Sequence, residues 1–261
     1  MSFKLHHISI SQMNTFGRCE MQWFFRYVQG LKVPKGIPLV VGSGAHAGFE
    51  RIYMDKKALD KYNLNDALDA TRDSVEYSDV KEEVEWKQTK AEAKDVAVGL
   101  IKSYDQVRLP ASIKNESIEA IEIPVTIKLK RKDTTALVKA IPDLVLKEKI
   151  IDCKTAAKTP TDIPKNIALQ TYLYGIALGK SETGLHYMIK KKQPTSLEFP
   201  CRPINKEYMS AVQNTVIDFW ENLQAKLKSG DFLPTGMFHP YGCSDCGYGA
   251  KGYCKYYNIG D

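Results

Sequence analysis

The feature that most restricts what this chain can fold into is a pair of β-rich runs with almost nothing between them. "TALVKAIPDLVL" and "KIIDCKT" are separated only by a tight turn around Lys147 to Lys149, which makes them a hairpin. Side chains alternate along a strand. Ile151 and Cys153 therefore point to one face, and Asp152 and Lys154 to the other. With Lys147 and Glu148 as a two-residue turn, Asp143 lies opposite Asp152. A slip of one residue would send the two carboxylates to opposite faces. Pro142 cannot donate a ladder hydrogen bond, which predicts a bend or bulge that re-aims Asp143. Carboxylates that converge repel one another unless a cation lies between them, and hard oxygen ligands favour Mg²⁺ or Mn²⁺. Lys154 beside them could hold a scissile phosphate or an attacking water. The bland alternative is a surface ion pair of little consequence, and the rest of the chain decides between the two.

A length of 261 residues with 43% hydrophobic content allows one large or two small domains with a real core. The formal charge of +6 suits a polyanionic partner. No apolar stretch reaches the roughly 18 residues of a membrane span. "MSFKLHHISISQM" lacks an apolar secretory core. The expectation is a cytoplasmic protein (host cytoplasm if viral) with no membrane partner. In that setting the six cysteines are not expected to form disulfides.

Residues 11 to 29 read as a helix capped by Ser11 and followed by Gly30, and a second helix is expected from near Gly44 to about Met54. Residues 62 to 108 are polar and helix-rich, so 55–116 is expected to be a helical insertion. Three β-rich runs occupy 117 to 154. A helix over 165–179, a strand at "GLHYMIK" and a helix over 205–228 follow, the last with Asn205 as cap and Gly230 as terminator. The reading is one α/β domain spanning 1–261. Its core is helix–three strands–helix–strand, with a mixed central sheet flanked by helices.

"GSGAHAGFE" adds His46 and Glu50, i and i+4 on one helical face. Gly42, Ser43, Gly44 and Ala45 are small and would leave the helix start open to an anion. "QTYLY" adds Gln170 and Tyr174, again one turn apart, although Tyr174 could equally be core. Taken in order, "GSGAHAGFE", "IPD", "DCK" and "QTYLY" resemble the motifs of the PD-(D/E)xK nuclease superfamily, in its RecB-like branch. The resemblance spans residues 42 to 174 and implies a restriction-endonuclease-like core. It implies His46, Asp143, Asp152 and the Cys153 backbone carbonyl as ligands of a divalent metal, Lys154 as the catalytic lysine and Glu50 as a further participant. For Gln170 and Tyr174 it implies a DNA-contacting or lysine-orienting role. Asp152 stands where many members have Glu, which shortens reach without removing a ligand.

Cys243, Cys246 and Cys254 form C-x2-C-x7-C among glycines, and Cys19 is the candidate fourth thiolate. Cys153 is committed to the sheet and Cys201 to a strand-like run. His239 could replace Cys19 in a Cys₃His zinc site. The resemblance extends to members with one upstream cysteine and three near the C-terminus that hold a 4Fe–4S cluster, such as AddB-type nucleases and the CRISPR adaptation nucleases. It favours iron–sulfur over structural Zn²⁺, with residues 231–261 and the Cys19 region as a module stapling the chain's two ends.

The implied activity is Mg²⁺- or Mn²⁺-dependent hydrolysis of DNA phosphodiesters by an exonuclease of recombination, repair or phage DNA processing. Trp23, Phe24, Tyr27, Tyr248 and Tyr253 suggest stacking of unpaired bases, hence single strands or ends as substrate. Two alternatives are a CRISPR adaptation nuclease that trims protospacer DNA and a non-catalytic DNA-end-binding protein. No G-x-x-x-x-G-K-[ST] motif is present, so a helicase, like recombination or adaptation proteins, would be a separate partner.

Overall fold

The structure, a computed structural model, describes residues 5–238, 243 and 246–257, without the side chains of Lys81, Pro200, Cys201, Arg202 and Lys206. In chain order the elements are β1 (Ile8–Ser9), α1 (Ile10–Arg18), α2 (Glu20–Trp23), β2 (Lys35–Gly36), α3 (Ile37–Leu59), α4 (Leu64–Glu76), α5 (Ser78–Lys81), β3 (Val84–Glu85), α6 (Lys90–Gln106) and α7 (Leu109–Ser112). There follow β4 (Ile118–Ile121), β5 (Val125–Arg131), β6 (Thr134–Ala140), β7 (Leu144–Leu146), β8 (Lys149–Ala156), α8 (Lys165–Leu178), β9 (Glu182–Ile189), β10 (Thr195–Pro203), α9 (Lys206–Ser229) and α10 (Gly247–Ala250). The chain divides into two compact units. The larger comprises Lys35–Val125 and Ile141–Met209, the smaller Met1–Pro34, Thr126–Ala140 and Ser210–Asp261.

The larger unit is built on a five-stranded mixed sheet in the order β10-β9-β8-β7-β4. Only β8 and β9 run parallel, and α8 makes the crossover that a parallel pair requires. The expected helix–three strands–helix–strand core is α3, β4, β7, β8, α8 and β9, with β10 added at the edge. The three β-rich runs do not stay whole, however. Ile123-Pro124 and Ile141-Pro142 interrupt them, because proline cannot donate to a ladder. The intervening β5 and β6 form a separate three-stranded sheet with β1 in the smaller unit.

Helix α3 begins at Ile37 with proline in its first turn, not near Gly44 as expected. Phe49, Ile52 and Tyr53 of α3 pack with Ala67, Leu68 and Val75 of α4, Ala97, Leu100 and Ile101 of α6, and Leu144, Ile151 and Cys153 of the sheet. An interior glycine costs about 1 kcal/mol relative to alanine, but a Cβ on Gly44 would lie 2.7 Å from Val75 Cγ2, and one on Gly48 2.7 Å from Ile101 Cγ1. Gly44 and Gly48 therefore serve close helix packing. The expectation that the Gly42–Ala45 stretch opens a helix start to an anion is corrected, since that stretch lies inside α3.

In the smaller unit Ser9, not Ser11, caps α1, accepting from the Gln12 N–H at 3.2 Å. The expected single helix breaks at Cys19, whose extended backbone ends α1 and opens α2, and a π-helical turn over Phe24–Val28 follows. Trp23 is fully buried and stacks on Phe232, Phe24 lies against Phe232, and Phe25 lies against Tyr248. Of the aromatics expected to receive bases, Trp23 and Tyr248 are thus buried in this unit, the commoner fate of large rings that can bury their area, whereas Phe24 and Tyr27 are half-buried and Tyr253 is exposed. Among the described residues, no helix is long and apolar enough to cross a membrane.

Candidate active site

Three neighbouring strands of the larger unit bring carboxylates into a row. β4 pairs with β7 so that Ile121 faces Leu144. One step further out Glu122 lies beside Asp143, and the Glu122 N–H donates to the Asp143 carbonyl at 3.1 Å. β7 pairs with β8 so that Leu144 faces Ile151. This is the register of a two-residue turn at Lys147 and Glu148, and it sets Asp143 opposite Asp152. At this sheet end the backbone leaves regular geometry: Glu122 has φ 47° and Pro142 precedes Asp143. Glu122 thus occupies a left-handed conformation that side-chain-bearing residues rarely adopt, a feature that clusters at functional sites.

Helix α3 supplies the facing wall. Leu39, Ser43, His46 and Glu50 follow one another at helical spacing and line a cleft of about 570 Å³ together with Glu122, Ile141, Asp143, Lys154 and Thr155. His46 Nδ1 lies 3.6 Å from Asp143 Oδ1. His46, Glu122 and Asp143 each offer a ligand atom within 4.8 Å of the others, and among the described residues they are the one such trio. Asp143 Oδ2 accepts the Cys153 N–H at 2.6 Å. The Cys153 carbonyl faces the His46 imidazole, favouring its charged form.

Asp152 is 1% exposed, and Lys154 Nζ lies 2.5 Å from its Oδ2. Neither carboxylate oxygen accepts a well-formed hydrogen bond. Asp152 faces its own lysine and lies outside the trio, while Glu122, which the sequence did not single out, lies in it. Glu50 lies on the cleft wall outside the trio. Gln170 donates to the Tyr174 hydroxyl, which donates to the Ile141 carbonyl at 3.1 Å. Tyr174 is 2% exposed. The pair is thus tied to the backbone of the Ile141-Pro142-Asp143 bend. Glu122 was missed in the sequence, where nothing local links it to Asp143.

The charges at this site conflict. Burial and the nearby Asp152 push the Asp143 carboxyl up to about 8, against the pull of Lys154. Burial, then Asp143 and Glu50, also raise Glu122. Burial, then Lys154, lower His46, which favours the neutral imidazole that can act as a ligand. Burial disfavours the charged form of Lys154 but is outweighed by Asp152 and Asp143, so its ammonium is held well above the usual range. A folded-state carboxyl raised in this way contributes stability below its unfolded pKa of 3.8. That contribution is lost as pH rises through about 8. An imidazole and two carboxylates that hinder each other's ionisation, with a buried carboxylate short of donors beside them, fit a hard divalent cation.

In the smaller unit Cys19 and Cys246 are buried, Cys243 and Cys254 half-buried, and all four are free thiols. Burial raises the Cys243 thiol first, and Cys19, Cys246 and Cys254 raise it further, which puts the four sulfurs in one neighbourhood. Phe25 and Tyr248 pack there with Met21, Phe24 and Tyr257. Three thiolates within 4.8 Å of one another would have formed a trio like that of His46, and among the described residues they do not. Cys153 is in the sheet core as expected. His239 lies outside the described residues, as does the Cys201 side chain. Glu20 Oε2 accepts from Lys226 Nζ at 2.8 Å and from the Leu233 N–H at 2.9 Å, so the Cys19 region is tied to the C-terminal segment by protein contacts as well.

A profile of the PD-(D/E)XK nuclease superfamily matches residues 7–255. No curated protein matches the chain. Among solved structures the chain is similar to a candidate exonuclease from Eubacterium rectale, with TM-score 0.55 and 15% identity over 86% of this chain and 82% of that one. It is more distantly similar to the alkaline exonuclease LHK-Exo from Laribacter hongkongensis, with TM-score 0.31 and 11% identity over 72% of this chain and 93% of that one. The same exonuclease with dAMP gives TM-score 0.35 at 10% identity. The first likeness speaks for the fold alone, and the weaker ones carry no argument. The fold is the restriction-endonuclease-like α/β architecture, and the chain belongs to the PD-(D/E)XK nuclease superfamily.

Proposed function

We propose that the chain is a divalent-metal-dependent deoxyribonuclease that degrades DNA from its ends, in the RecB-like branch of the superfamily. The observation that carries this reading is the row Glu122, Asp143 and Asp152 on three adjacent strands, with His46 above it and Lys154 beside it. His46, Glu122 and Asp143 would hold the cation, with the Cys153 carbonyl close by. When bound, Mg²⁺ or Mn²⁺ supplies Lewis acidity and an activated water. The chain's own residues do the rest. Lys154, kept charged by Asp152, places its ammonium on the cleft wall where it can neutralise a phosphate oxygen. Tyr174 and Gln170 hold the bend that carries Asp143. The net charge of +6 favours a polyanion. The same fold serves the candidate exonuclease of Eubacterium rectale, and its attack on ends is carried over as part of this proposal.

Cys19, Cys243, Cys246 and Cys254 would hold a 4Fe–4S cluster. Four thiolates, three of them in C-x2-C-x7-C spacing, suit such a cluster, with a structural zinc site as the alternative.

End dependence separates an exonuclease from an endonuclease. Linear single-stranded, linear duplex and covalently closed circular single-stranded DNA are incubated with the protein under identical Mn²⁺ and salt. The linear forms should be consumed from their termini, single strands and frayed ends first, and the closed circle should persist. Rapid cutting of the circle would overturn the exonuclease reading while leaving the metal site in place.

A further inference from the structure

Among the described residues, the half-buried ammonium of Lys190 in the larger unit has no carboxylate partner. Lys190 directly follows β9, and its N–H donates to the Ala156 carbonyl at 2.7 Å, so it extends the β8–β9 pairing by one step. Thr155 faces Met188 in that pairing. Alternation then puts Lys190 on the same sheet face as Thr155. Its Nζ donates to Thr155 Oγ1 at 3.4 Å, and Thr155 lines the catalytic cleft. Three other partly buried lysines in or next to this sheet have acids: Lys154 has Asp152, Lys149 has Glu198 and Lys180 has Glu119. Lys190 is half-buried, and among the described residues no carboxylate pairs with it. Burial alone lowers its pKa, with no acid opposing. Lys191 beside it donates to the Thr159 hydroxyl at 2.8 Å. A partly desolvated ammonium with no anion costs free energy, and an arriving anion would remove that cost.

We propose that Lys190 and Thr155 form a binding site for a second phosphate of the substrate strand, one that is held and not cut. The proposal rests on the nuclease reading above and adds to it a named contact that sets how the strand lies in the cleft. The ligand chemistry is a phosphate mono- or diester, either an internal backbone phosphate or the phosphate at a strand end. Lys190 is a positioning residue: it touches the substrate backbone away from the reacting phosphate.

The test compares wild type, Lys190→Met and Lys190→Arg. Binding of a single-stranded oligonucleotide in Ca²⁺ is followed by anisotropy across a salt series, and kcat and KM are measured in Mn²⁺. Lys190→Met should bind about tenfold more weakly, with the salt slope reduced by about 0.7 for the one lost phosphate contact. KM should rise with kcat unchanged, and Lys190→Arg should restore both affinity and slope. The melting temperature of Lys190→Met should hold or rise, because a lone half-buried charge has gone. Oligonucleotides with and without a terminal phosphate tell the two sources apart: a defect that disappears on the dephosphorylated strand assigns the terminal phosphate, and a defect on both assigns an internal one. An unchanged salt slope with a lowered melting temperature would make Lys190 a structural tether to Thr155 and overturn the proposal alone. Absence of salt-dependent DNA binding in the wild type would overturn the nuclease reading with it.

Discussion

Lys154→Met should slow cleavage severely and also lower the melting temperature of the metal-free protein, by on the order of 10 °C. Both effects follow from one contact. Lys154 Nζ lies 2.5 Å from Asp152 Oδ2, and Asp152 is 1% exposed with no hydrogen-bond donor of good geometry. Removing the lysine leaves a bare buried carboxylate, and breaking such a pair costs about 3–5 kcal/mol. The rate should fall by on the order of 10²–10³-fold, because a fixed charge aimed at the scissile phosphate is lost. The double variant Asp152→Asn/Lys154→Met separates the two roles. It should regain most of the melting temperature, since neither charge remains, and none of the activity. Equal melting temperatures for wild type and Lys154→Met would show that Asp152 is satisfied by other means.

The same hairpin shows what was legible in the sequence. A two-residue turn leaves one register, so "LVLKEKII" alone places Leu144 against Ile151 and Asp143 opposite Asp152, as the structure has the first pair. Asn205 as cap and Gly230 beyond the end of the long helix were legible for a similar local reason. The Asn205 side chain accepts from the Glu207 N–H, and Gly230 takes φ 80°. Glu122 was not legible, because its partnership with Asp143 depends on β4 pairing across an inserted hairpin, a non-local choice that no local pattern records. The start of α3 was misplaced because glycines at Gly42 and Gly44 read as a break, whereas α4 and α6 approach too closely to allow a side chain at Gly44 or Gly48. The aromatics near the termini carried no sign of whether a base or Phe232 would cover Trp23. Burial of the largest rings settled that.

The second large effect concerns the cysteines. Protein purified without oxygen should be brown, with a broad visible absorbance and roughly four iron atoms per chain. Cys254→Ser should lose iron and colour, whereas Cys153→Ser, in the core of the other unit, should keep both. The melting temperature should fall with the iron, because metal-binding free energy is folding free energy. The N-terminal segment should nonetheless stay attached. Glu20 holds Lys226 and the Leu233 N–H, the Met21 N–H donates to the Leu233 carbonyl, and β1 pairs with β6. A colourless wild type with one tightly bound zinc would replace the cluster by a zinc site. Retention of full iron in Cys19→Ser would remove Cys19 from the ligand set.

Calorimetric titration of Mn²⁺ into the metal-free protein tests most directly whether His46, Glu122 and Asp143 hold a divalent cation. Asp143 is pushed up to about 8, so below that pH its proton must leave when the cation arrives. Affinity should therefore rise with pH and level off above about 8, and titrations in buffers of different ionisation enthalpy should show proton release below that point. Asp143→Asn should bind Mn²⁺ far more weakly at every pH, with its fold intact, since the amide can still accept the Cys153 N–H. Wild-type affinity in Asp143→Asn, or tight binding in the wild type with no pH dependence and no proton release, would contradict the account.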